Sequence, residues 1–245
     1  MLTAATIDAV VITGAASLAG GFGAFIRGLS PRATAAAFGV AGGMMLAASL
    51  LALLPQALAQ VPTTGGGLGV VGGFLAGVAA MWLLDLVVPH QHPDESAADH
   101  GVSALRPALL ITLAIGLHNL PEGAAVGLAA AGGEGGRVTW AIAVQNVVEG
   151  LLVAVPLRLA GLPRWAAFGL AAVAAAAEIG AALLAGAIAG DGVVVLALGM
   201  AFAAGAMCYV VFEELMPAAN RTGHGNAASL GASAGIAVTL ALGVV

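Results

Sequence analysis

Two short stretches carry most of the chemistry that an otherwise apolar chain offers. HNLPEG, residues 118–123, sets an imidazole, an amide and a carboxylate within five positions, and QNVVEG, residues 145–150, sets two amides and a carboxylate at matching ones. On a helix, His118 and Glu122 are four apart and share a face, as do Gln145 and Glu149. Asn119 and Asn146 each stand three before the glutamate and are rotated about 100° from the residue ahead of them. Each glutamate therefore reaches two neighbouring positions, one beside His118 and Gln145, the other beside Asn119 and Asn146. That geometry predicts two cations bridged by shared carboxylates, as in two-metal sites about 3.5–4 Å apart. Pro121 lacks an N–H and its ring crowds the Leu117 carbonyl, which predicts a kink and a freed acceptor beside the pair.

The elements that hold these residues must lie in lipid. Of the 245 residues, 61% are hydrophobic and only 8% charged, with a mean hydropathy of +1.07. An ordinary soluble domain is about a quarter charged, so this chain cannot cover a globular surface. Apolar runs long enough to cross a hydrocarbon layer of roughly 30 Å recur along it. Eight spans are expected, at about 4–26, 34–58, 67–88, 105–131, 138–159, 165–189, 193–216 and 227–245. The 37 glycines and abundant alanine give small helix surfaces that pack closely in lipid. A β-barrel would alternate apolar and polar residues over about ten positions, and nothing here does. The expectation is an all-α membrane protein with a single transmembrane domain over residues 1–245. The first apolar stretch lacks the basic leader of a cleavable signal. Cys208, the single cysteine, lies within a span and implies no disulfide.

Away from the loops and the span ends, the ionisable residues are His118, Glu122, Glu149 and Glu178, the last in AAAAEIGAA. Each is expensive at mid-bilayer unless paired, hydrated or coordinated, and no arginine lies deep enough to pair with them. Three such carboxylates must be protonated, wet or bound to a cation. Interhelical hydrogen bonding would account for one motif alone; two matched motifs together with Glu178 favour a cation site. One imidazole, three carboxylates and several amide oxygens suit Zn²⁺ and neighbouring divalent first-row ions better than Na⁺ or K⁺. Amides are weak ligands, which favours release over permanent holding. Met44 and Met45, on chemistry alone, are packing residues.

All seven basic residues are arginine. If the spans alternate, Arg27, Arg32, Arg106, Arg158, Arg164 and Arg221 fall on one side and only Arg137 on the other. The basic excess marks the cytoplasm, so both termini are expected outside it. The stretches 42–57 and 204–219 also match without gaps, Gly43, Met45, Leu53, Pro55 and Ala57 aligning with Gly205, Met207, Leu215, Pro217 and Ala219. One runs outward and the other inward, so spans one to three would repeat as six to eight in opposite orientation. Inverted repeats are a transporter feature with the substrate site at mid-membrane. Asp85, His90 and His92 open a loop, residues 85–100, that gathers three of the five histidines, a composition suited to capturing metal. Glu213, Glu214 and His224 form a weaker cluster that solvated helix ends explain nearly as well.

HNLPEG and QNVVEG in the fourth and fifth of eight spans resemble the paired motifs of the Zrt/Irt-like (ZIP) metal transporters, and of bacterial GufA-type members with a binuclear centre above all. The likeness extends to the span count, the outside termini, the histidine-bearing third loop and the EELMP end of span seven, residues 213–217. It implies one metal position built from Met45, His118, Glu122, Gln145 and Glu149, and a second from Asn119, Glu122, Asn146, Glu149 and Glu178. It implies an inner exit site at Asp85, His90 and His92. It further implies a three-plus-two-plus-three inverted-repeat bundle, a homodimer, the bacterial cytoplasmic (inner) membrane, and spans one, four, five and six sliding as a unit against the rest. The cargo would be divalent metal, zinc first, with Cd²⁺, Fe²⁺ and Mn²⁺ as further candidates; neither a resident cofactor nor a nucleic-acid partner is expected. Related binuclear members often carry aspartate where this chain has Asn146, so the second position is expected to be the weaker one. A divalent cation channel would share the ligands. An intramembrane metalloenzyme is disfavoured, because the chain has no HExxH and only one histidine within a span.

Overall fold

A computed structural model of the chain describes residues 2–26, 28–87, 105–133, 135–189 and 192–242, and no strand occurs among them. Ten α-helices run in order: α1 (Ala4–Gly21), α2 (Pro31–Ala47), α3 (Leu54–Gln60), α4 (Thr64–Val87), α5 (Leu105–Ala131), α6 (Gly135–Leu159), α7 (Arg164–Ala189), α8 (Val193–Val210), α9 (Met216–Arg221) and α10 (Gly225–Ala241). Local chemistry sets several ends. Thr3 caps α1 by accepting from the Thr6 N–H at 3.1 Å, and Ser30 caps α2 with Pro31 at the first helical position, where a missing N–H is harmless. Seven helical segments are long and apolar enough to cross a membrane: Ala4–Phe25, Pro31–Gln60, Thr64–Leu86, Ala108–Ala131, Val138–Leu159, Arg164–Ala189 and Val193–Arg221. The eighth expected stretch forms α10, which has 17 residues.

Two of the long segments are interrupted in the same way. A π-helical turn, Ala48–Leu53, joins α2 to α3, and another, Val211–Leu215, joins α8 to α9. Each ends two residues before a proline, Pro55 and Pro217. A proline lacks one helical donor and crowds the carbonyl four residues back, and a wider i→i+5 turn accommodates it. Leu53 and Leu215 are the aligned pair of the matched stretches, so the two stretches share a backbone irregularity as well as residues. Pro121, by contrast, leaves α5 continuous from Leu105 to Ala131; the expected kink does not break that helix.

The helices sort by packing. α1, α5, α6 and α7 each touch the other three, while α2, α3, α4, α8 and α10 pack mainly among themselves. The two groups meet where α5 crosses α8 and where α6 crosses α2. Inside the groups, backbones lie almost in contact. A Cβ placed on Gly123 of α5 would come within 2.1 Å of the Glu178 carbonyl oxygen of α7. Across α4 and α8, a Cβ added to Gly77 would likewise strike the Phe202 carbonyl, and one added to Gly205 the Phe74 carbonyl. Only glycine permits such an approach, and lipid offers no hydrophobic drive to hold larger residues together instead.

Candidate metal site

HNLPEG lies on α5 and QNVVEG on α6, side by side in the first helix group, with Glu178 on the neighbouring α7. All eight residues expected at the mid-membrane site are buried, none more than 5% exposed: Met45, His118, Asn119, Glu122, Gln145, Asn146, Glu149 and Glu178. The hydrogen bonds divide them into two halves. In the first half, the Gln145 amide nitrogen donates to Glu122 Oε1 and, at 3.1 Å, to Glu149 Oε1, so one NH₂ group stands between two carboxylates. In the second, Asn146 Nδ2 donates to Glu178 Oε2 at 2.7 Å and towards the Thr13 carbonyl at 3.3 Å. Asn119 lies nearby and donates to the Ala174 carbonyl of α7 at 2.9 Å.

What these bonds leave over is chemically uniform. The amide nitrogens are used, and the buried atoms without a hydrogen-bond partner include Glu122 Oε2, Glu149 Oε2, Glu178 Oε1, Gln145 Oε1, Asn146 Oδ1, Asn119 Oδ1 and His118 Nδ1. Six are oxygens with only lone pairs to offer, and an imidazole nitrogen is either donor or acceptor by tautomer. Buried polar atoms are ordinarily satisfied, and a surplus made of acceptors is what a cation would satisfy. No three histidine, cysteine, aspartate or glutamate side chains among the described residues close on one point tightly enough to hold an ion unaided. The Gln145 amide between Glu122 and Glu149 is the physical reason in the first half.

Three features were not anticipated from the sequence. Glu214, which the sequence groups only weakly with Glu213 and His224, brings Oε2 to 2.8 Å from His118 Nε2. The π turn Val211–Leu215 carries Glu214, so this contact joins the two helix groups. Ser17 of α1 donates towards Glu178 Oε2 at 3.3 Å as well as to the Thr13 carbonyl at 3.1 Å, adding α1 to the site. Thr13 and Ser17 are four apart on an apolar helix, which is the signal that would have found them. Lastly, a cavity of about 50 Å³ ends on His118 and is lined by Glu213, Glu214, Ala218 and Arg221, on the arginine-rich side. A smaller void of about 10 Å³ lies inside the first group against Asn119, Asn146 and Glu149.

A family model described as ZIP zinc transporter matches residues 86–243, a stretch that contains both motifs, Glu178 and Glu214. The chain belongs to the ZIP family. Among named relatives, it is 34% identical over 238 residues to the zinc transporter ZupT of Corynebacterium aurimucosum, covering 91% of this chain and 89% of that one. It is 38% identical over 227 residues to the zinc transporter ZIPB of Bordetella bronchiseptica, covering 89% and 73%. It is 36% identical over 240 residues to an Escherichia coli ZupT, covering 93% and 91%. ZIP membership places the chain among transporters rather than enzymes, and its long apolar helices make it a multi-pass membrane protein.

Of the residues expected at an exit site, Asp85 stands near the end of α4 and accepts from the Tyr209 hydroxyl of α8 at 3.3 Å, while His90 and His92 lie outside the described residues. His224 turns away from the candidate site, its Nδ1 2.8 Å from the carbonyl oxygen of Thr222.

Proposed function

We propose that this chain carries divalent transition-metal ions, zinc first among them, into the cytoplasm through a mid-membrane cage with two adjoining cation positions. The carrying observation is the surplus of buried lone pairs on α5, α6 and α7, left by residues whose donors are already engaged. The relatives' names support zinc as cargo, and a nitrogen-and-oxygen ligand set without thiolate suits an ion that must be let go. Met45, His118, Glu122, Gln145 and Glu149 form the first position. Asn119, Glu122, Asn146, Glu149 and Glu178 form the second, with Glu122 and Glu149 shared.

Gln145 gives loading a simple chemistry. With its NH₂ between Glu122 and Glu149, the amide supplies the positive edge that two carboxylates need. An arriving cation displaces that group, and about a half-turn of the terminal amide presents Oε1 in its place. The same residue thus stabilises the empty carboxylate pair and ligates the ion. Release follows the cavity from His118 towards Arg221, the side that the arginines mark as cytoplasmic. Asp85, His90 and His92 receive metal at that exit. Spans one, four, five and six move as one body against two, three, seven and eight, in an inverted-repeat bundle of eight spans with both termini outside. The separation of the helices into the same two groups supports this, and so does the π turn common to the two matched stretches. By its resemblance to the family, the carrier would act as a homodimer in the bacterial cytoplasmic membrane.

The test is zinc uptake into proteoliposomes by the wild type, Glu122→Ala and Glu149→Ala. Saturable uptake in the wild type and background uptake in both variants is expected; unimpaired uptake in both would sink the site assignment, and ion conductance in place of saturation would make the protein a channel.

A further inference from the structure

On the arginine-rich side, away from the metal residues, a cavity of about 240 Å³ lies between the end of α1, the end of α6 and the start of α7. Its lining is Ala24, Phe25, Ile26, Gly28, Arg158, Leu159 and Arg164, so both of its charges are positive. We propose that this cavity binds the phosphodiester headgroup of an anionic phospholipid.

Four observations converge on it. Arg158 is pinned, since its Nη1 donates to the Leu162 carbonyl; its Nε is buried and without a partner. A guanidinium is a rigid planar fork that matches phosphate oxygens, and here the bond to Leu162 holds that fork in place at the cavity wall. Arg164 is the first residue of α7, where the helix presents its positive end, and its guanidinium carbon stands 5.8 Å from the centre of the Phe25 ring. Neither arginine forms an ion pair with a carboxylate among the described residues. Gly28, with a φ of +115°, lines the cavity without a side chain, and a Cβ there would press on Leu159 Cδ2 at 3.3 Å.

The depth of the cavity selects a lipid. Beside it Phe22, Phe25, Trp165 and Phe168 form a ring cluster, with Phe25–Trp165 and Phe22–Phe168 centroids 4.9 and 5.0 Å apart. Phe22 and Trp165 are largely exposed. Of these Trp165 is amphipathic, the kind of aromatic that gathers at headgroup level, and basic pockets between spans on the cytoplasmic side take anionic headgroups. Every lining residue comes from α1, α6, α7 or the turns flanking them, all in the helix group that holds Glu122, Glu149 and Glu178. The lipid is therefore a ligand of the body proposed to move.

The experiment is native mass spectrometry of the full-length protein released from detergent with phosphatidylglycerol or phosphatidylcholine added. The wild type is expected to retain one phosphatidylglycerol with about tenfold preference over phosphatidylcholine, a ratio that two arginines near an anionic headgroup can supply. R158Q/R164Q and R164Q alone are both expected to lose that preference. Arg164 is exposed and leaves the Arg158–Leu162 bond intact, so R164Q decides the matter where the double variant loses its fold. Unchanged retention in R164Q overturns the proposal. Displacement of the lipid by inorganic phosphate overturns it too, since the ligand would then be a free anion.

Discussion

The two halves of the candidate metal site are built from matched motifs and yet stand in different surroundings. The first half borders the second helix group: His118 meets Glu214 from the π turn after α8, and a cavity reaches His118 from the arginine-rich side. The second half is enclosed within the first group. Asn119 is bonded to α7, and Asn146 and Glu178 are bonded to one another and to α1. A position whose surroundings come from two bodies changes when they move; a position inside one body travels with it unchanged. Under the proposed two-body movement, loading and release would fall to the first half, and the second would support it, a cation there holding the shared carboxylates in place.

Substitutions that separate the halves test this. His118→Ala removes the only imidazole of the site, and zinc affinity measured by competition titration is expected to fall roughly 100-fold, since losing even an orienting group beyond the ligands costs about 10–100-fold. Gly123→Ala forces a Cβ against the Glu178 carbonyl; overpacking of this kind costs about 1–3 kcal/mol, read as a lower melting temperature together with weaker binding in the enclosed half. Asn146→Asp exchanges a neutral oxygen for a charged one beside the second position, and occupancy there is expected to rise about tenfold on Coulomb attraction. Ser17→Ala removes one long hydrogen bond to Glu178 and is expected to weaken only the second half, by about threefold. Equal effects of His118→Ala and Asn146→Asp on both positions, followed by anomalous scattering, would erase the distinction between the halves.

Much of this arrangement was legible in the residues. Composition alone requires helices in lipid, and the i, i+3 and i, i+4 spacings of HNLPEG and QNVVEG put their polar groups on shared faces. Glu178 stood out because an acid among alanines has no packing reason to be there. Thr13 and Ser17 did not stand out, because short hydroxyl side chains can bond their own helix carbonyls and so carry little penalty in an apolar helix. Glu214 was only half legible, for a different reason. At a helix end an acid looks solvated, and only the π turn ahead of Pro217, invisible as such in the sequence, turns it towards His118. Pro121 shows the converse: the helix that carries it stays continuous, since a proline's lost bond is a local matter that surrounding helices can absorb. The sorting of helices into two groups depends on long-range glycine contacts that no local pattern encodes.

The bridging role of the two glutamates is the centre of the account, and counting bound zinc tests it most directly. Zinc per protomer is measured by elemental analysis at saturating metal in the wild type, His118→Ala and Glu122→Gln. A shared carboxylate predicts that Glu122→Gln empties both mid-membrane positions, whereas His118→Ala empties one and leaves the other. Wild-type zinc content in Glu122→Gln, or identical losses in the two variants, would contradict it.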